Sequence, residues 1–134
     1  MNKPTKFQDA VLLALRLIIA LIFLFAAYGK WSYLSAGAPG SSAGMINLLK
    51  FLIVVEPLGA LALISGFLTR WAAKGLSIIM VGAIYFLHFT MGTKFFTLPG
   101  ALGWDYNLLI LGSCLILITF GAGRWSVDKM QNRS

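Results

Sequence analysis

The chain has 134 residues, enough for one domain, and is 59% hydrophobic with 11% charged residues, against about 25% in a soluble domain. A mean hydropathy of +0.85 excludes a water-soluble globule of this size. The net charge of +7 comes from basic residues placed singly at the ends of apolar runs, which excludes a nucleic-acid stripe and points to membrane topology.

Four apolar segments follow in chain order, each of 18–24 residues and long enough to cross a hydrocarbon core of about 30 Å. The first, "VLLALRLIIALIFLFAAY", covers residues 11–28. Lys3 and Lys6 precede it and "SAGA" follows, as in a cleaved leader, but three further spans favour a retained helix. The second span covers residues 45–68, the third 72–92 and the fourth 104–121. The prediction is an all-α polytopic membrane domain over residues 1–134, with four transmembrane helices in an antiparallel bundle. The short "FLTR" turn makes spans two and three antiparallel neighbours. "WSYLSAGAPGSSAG" and "TKFFTLPGALG" read as mobile linkers or as lids over an outward pocket.

Charge orients the bundle. With cytoplasmic termini, the inner side holds seven basic residues, namely Lys3, Lys6, Arg70, Lys74, Arg124, Lys129 and Arg133. The outer side holds three, Lys30, Lys50 and Lys94, so both termini are expected inside. Trp31 and Trp104 would mark the outer interface, Trp71 and Trp125 the inner one. A bacterial or archaeal inner membrane is the expected location.

One ionisable residue falls on each span: Arg16, Glu56, His88 and Asp105. Such groups face a bundle interior and pair there. On straight helices Arg16 and Glu56 differ in depth by less than about 10 Å, so an Arg16–Glu56 ion pair is feasible. Tyr28, Lys30, Lys50, Tyr85, His88, Lys94 and Asp105 gather in the outer half. Tyr85 and His88, three apart, share a helix face. Pro57 follows Glu56 and removes a backbone donor, which suits a cavity wall. Ala20, Ala27, Gly59, Ala60, Gly66, Gly75 and Gly82 permit close helix approach. Asp105 is placed to cap the fourth span. Lys50 reads as a snorkelling cation and Cys114 as a small buried hydrophobe.

The single cysteine excludes a disulfide within the chain and any multi-thiolate iron–sulfur or zinc site, and the single histidine excludes a bis-histidine haem. No metal site is expected, and no electron carrier is held by the chain alone.

The arrangement resembles the DoxX family of small four-helix membrane proteins, related to DoxD. The resemblance runs from Leu12 to Asp128 and rests on Arg16, "YGK" at residues 28–30, Glu56 with Gly59, "GFLTRWAA" at 66–73, His88, the acidic Asp105 and "GAGRWSVD" at 121–128. It implies a quinone-facing membrane subunit of an oxidoreductase, with a partner oxidoreductase subunit or a soluble reductant supplying electrons. The candidate ligand or proton-relay residues are Arg16, Tyr28, Lys30, Glu56, Tyr85, His88 and Asp105. Two other readings stand beside it: a small transporter or channel for protons or a solute, and a structural anchor for a partner protein. Besides membrane lipid, a homo-oligomer or a partner subunit is expected, because a bundle this small buries little surface.

Overall fold

Thr5 opens the first helix with a reciprocal cap: Gln8 N–H donates to Thr5 Oγ1 (3.2 Å), and Thr5 N–H donates to Gln8 Oε1 (2.8 Å). From there α1 runs Lys6–Ser35, 30 residues without a break. Ser42 caps α2 (Ala43–Ser65) by accepting from Met45 N–H at 3.2 Å. A three-residue turn leads into α3 (Thr69–Tyr85), which continues as a π-helical turn at Phe86–Thr90. Helix α4 spans Asp105–Phe120, and a single short turn, α5, covers Val127–Met130. These assignments come from a computed structural model that describes residues 5–131; Lys3 and Arg133 of the topology argument lie outside them.

Helices α1, α2 and α3 with its π turn are long and apolar enough to cross a membrane, and the shorter α4 is equally apolar. They form an all-helical bundle of two tight hairpins, α1 on α2 and α3 on α4, joined by α2 against α3. Along the seam lie Ile19, Ala20, Phe23, Ala60, Leu63, Ala73, Leu76, Ile110, Cys114 and Leu117, all buried. Small residues set the spacing as expected at Ala20, Ala27 and Ala60. Gly59 does so too: a Cβ there would stand 3.0 Å from Leu76 Cδ2. Gly75 and Gly82 do not, because nothing lies within 4 Å of a Cβ built on either. Leu61, Ile78, Leu109 and many other large apolar side chains are exposed around the bundle, as lipid-facing residues must be.

Several helix ends differ from the apolar runs. Helix α1 continues past "YGK" through Ser35, since Trp31–Ser35 suits a helix at the interface as well as a loop. Helix α2 stops at Ser65 because Gly66 adopts φ +73°. Helix α3 begins at Thr69 instead of residue 72, its N-terminus taken up by Asp128.

Neither long connection is a slack linker. Tyr33 Oη donates to the Pro39 carbonyl (2.6 Å) and lies 2.8 Å from Ser41 Oγ. In the 91–104 segment, the Phe95 carbonyl accepts from Trp104 N–H (3.0 Å) and Asp105 N–H (2.9 Å). Asp105 Oδ1 accepts from Thr97 N–H (3.1 Å) and Thr97 Oγ1 (2.7 Å). The carboxylate therefore ties this loop to the start of α4; the cap position itself is Trp104, which gives no side-chain bond.

Candidate functional site

The four ionisable residues do not meet in one polar interior. Arg16 and Glu56 are each buried, but the expected pair between them does not form. Glu56 is held instead by Lys30, whose Nζ donates to Oε1 (3.2 Å) and Oε2 (3.0 Å). Arg16 donates from Nη1 to the Leu63 carbonyl (3.1 Å) and from Nη2 to the Trp125 carbonyl.

Side-chain direction decides this. Every Cα–Cβ bond in a helix tilts toward its N-terminus. In the α1/α2 hairpin the residues equidistant from the loop pair as 35 with 43, hence 22 with 56 and 15 with 63. By that register Glu56 sits about 9 Å above Arg16 and about 12 Å below Lys30 along the axis. Arg16 points down, away from Glu56. Lys30 also points down, toward it, and Glu56, on the descending helix, points up. Two long side chains aimed at each other bridge the larger gap.

Beside this pair, the α1/α2 hairpin leaves an open apolar groove of about 400 Å³ lined by Leu24, Ala27, Tyr28, Trp31, Ile53, Val54 and Pro57. Lys30 and Glu56 are not among its lining residues; Ala27 and Ile53 stand three residues before them on α1 and α2, so the ion pair lies about one helical turn from the groove wall. Tyr28, Trp31 and Val54 are exposed, so the groove opens sideways, away from the bundle axis. Glu56 has a side-chain exposure of 2%, Lys30 of 26%. The groove can hold a flat apolar ring, with Lys30 and Glu56 engaged with each other beside it.

The remaining candidates lie elsewhere. His88, on the π turn, is exposed and packs edge-on against Phe89 (4.7 Å) and Trp104 (5.7 Å). Tyr85 is 63% exposed and stacks on Phe89 at 5.1 Å. Asp105 Oδ1 joins the loop, through Thr97, to the first turn of α4, through Tyr106 N–H (2.9 Å). Lys50 is exposed and Cys114 buried. Among the described residues, no group of three or more His, Cys, Asp or Glu side chains could hold a metal.

Two residues that sequence reasoning passed over, Asp9 and Asp128, organise the opposite end. Asp128 accepts from Leu68 N–H (2.6 Å) and Thr69 N–H (2.8 Å), and its own N–H donates to the Gly66 carbonyl (2.9 Å). It thus caps α3 across the bundle and supplies the charge nearest in effect to Arg16. Asp9 accepts from Arg124 N–H (3.0 Å) and faces Arg124 Nε at 3.6 Å. A Cβ on Gly66 would collide with Arg16 Nη1 and with Ser126. The signal was present: "GFLTRWAA" and "GAGRWSVD" are partners, the second closing over the first.

With this geometry in place, comparison with known proteins gives a match of residues 11–89 to the DoxX family. Inner membrane protein YqjF of Escherichia coli is 29% identical over 136 aligned positions, covering 96% of this chain and 97% of that protein. An uncharacterized protein of Haemophilus influenzae is 31% identical over 131 positions, covering 96% of each chain. No solved structure matches.

Proposed function

This chain belongs to the DoxX family, and from that membership and the α1/α2 groove we propose that it is an inner-membrane accessory subunit binding a quinone or similar apolar ring beside Lys30 and Glu56. The observation that supports the reading is a sideways-opening apolar groove about one helical turn from the part-buried Lys30–Glu56 ion pair. A lipid-soluble ring reaches such a groove from within the bilayer. Lys30, tethered to Glu56, is the donor for a ring carbonyl, and Tyr28 and Trp31 are the flat walls. Electrons come from a partner, and the ring supplies the redox chemistry when bound.

In this reading α4 is the fourth span and both termini are cytoplasmic, in keeping with the basic residues at the termini end. The name of the E. coli relative supports an inner-membrane location. A second reading, a structural anchor, is favoured by one observation: Arg16, Glu56, Asp9 and Asp128 each have partners within the bundle.

Mass spectrometry of small molecules co-purifying in mild detergent separates the two. The ligand reading expects a quinone retained by the wild type and by His88→Ala, and lost on filling the groove with Ala27→Phe in a folded protein. Absence of any apolar ring from the folded wild type refutes it and leaves the anchor.

A further inference from the structure

Among the described residues, the termini end of the bundle displays more exposed positive charge than its carboxylates balance. The chain has only four carboxylates. Glu56 and Asp105 lie elsewhere, and the two at this end, Asp9 (1% exposed) and Asp128 (4%), are turned inward onto backbone N–H groups. The described cations of the same end, Lys6, Arg70, Lys74, Arg124 and Lys129, are all exposed. Arg124 leans on Asp9, but Arg70, Lys74 and Lys129 have no carboxylate partner among the described residues. Arg70 lies over the backbone of Gly121, and Lys74 sits over the Trp71 ring at 4.6 Å.

Helix electrostatics make the arrangement more telling. Arg70 and Lys74 stand in the first two turns of α3, whose positive dipole end disfavours cations. Placement there adds to an outward positive field instead of relieving it. Trp71 (70% exposed) and Trp125 (54%) lie among these cations and suit the headgroup layer. A positive rim at headgroup depth, flanked by indoles, is complementary to phosphate carried on a lipid.

We propose that this end of the bundle binds anionic phospholipid headgroups through Arg70, Lys74 and Lys129, with Trp71 and Trp125 seated beside them at the interface. The surface is separate from the α1/α2 groove and does not depend on what that groove holds.

The test uses the full chain in mild nonionic detergent, with added phosphatidylglycerol, phosphatidylcholine or inorganic phosphate. Thermal midpoints and lipid adducts by native mass spectrometry are the readouts. Phosphatidylglycerol should raise the midpoint and be retained in preference to phosphatidylcholine. Both effects should fall at least twofold in Arg70→Gln/Lys74→Gln/Lys129→Gln and persist in Lys50→Gln/Lys94→Gln at the other end. Equal retention of the two lipids, equal loss in both variants, or the same rise with inorganic phosphate overturns the proposal. If the triple variant does not fold, wild-type adducts are counted at low and high salt. Screening should strip phosphatidylglycerol selectively, and adducts indifferent to salt overturn the proposal.

Discussion

Lys30 and Glu56 make an unequal pair, and the inequality can be measured. Breaking a buried ion pair by removing one partner costs about 3–5 kcal/mol, because the other charge is stranded. Lys30→Met leaves a carboxylate with 2% side-chain exposure and no cation, so about 3 kcal/mol is expected, the lower end of that range. Glu56→Gln leaves an ammonium whose side chain is already 26% exposed and can swing out to the headgroups, so about 1–2 kcal/mol is expected. In the double variant neither charge is stranded, and the cost should stay at about 1–2 kcal/mol, about 2–4 kcal/mol less than the sum of the singles. Reversible unfolding in mixed micelles by added dodecyl sulfate supplies all three values. Additive singles, or a Glu56→Gln cost equal to that of Lys30→Met, would refute the reasoning and mean that the pair is open to water on both sides.

Arg16→Lys should destabilise by about 1.5–3 kcal/mol in the same unfolding assay, since one ammonium cannot reproduce a fork reaching the Leu63 and Trp125 carbonyls at once. Asp128→Ala removes the cap from α3 and should cost about 1–2 kcal/mol, with faster amide exchange at Leu68 and Thr69. Gly66→Ala forces a Cβ into a φ of +73° and against Arg16 and Ser126, so a loss above about 1 kcal/mol is expected; a neutral result would show that the turn can re-form. Thr97→Val removes a hydroxyl donor to Asp105 and should speed amide exchange across residues 94–104 while leaving α1 and α2 unchanged.

The helices were legible because hydropathy is a property of each segment taken alone. The turn between spans two and three was legible at "FLTR", but Gly66 reads from sequence as a packing residue inside span two, whereas its φ of +73° ends α2. Side-chain pairing was not legible. Arg16 and Glu56 are close in depth, which is all that spacing along a helix reports. Their directions, set by opposite chain sense, carry them apart and deliver Glu56 to Lys30. The partners of Arg16 lie 47 and 109 residues away and are backbone carbonyls, which composition cannot flag. Asp9 and Asp128 were passed over because neither falls within an apolar span; only the return of 121–128 over the α2/α3 turn buries them. Asp105 has the residue type of a cap and does accept from Tyr106 N–H in the first turn of α4 (2.9 Å), but the same oxygen also holds Thr97, since the loop before it folds back.

The contact between Arg16 and the Trp125 carbonyl also sets an order of events during synthesis. Arg16 precedes its acceptor at Trp125 by 109 residues, so the arginine is made long before that acceptor exists. Until residue 125 is made, the guanidinium is short of one of its two carbonyl acceptors. A chain halted before Gly121 never acquires that partner, and it also lacks the Asp128 cap on α3. The closing of residues 121–128 thus distinguishes a bundle that contains them from one cut before them, and membrane proteases that act on loosely packed helices would meet the cut form with its lock undone.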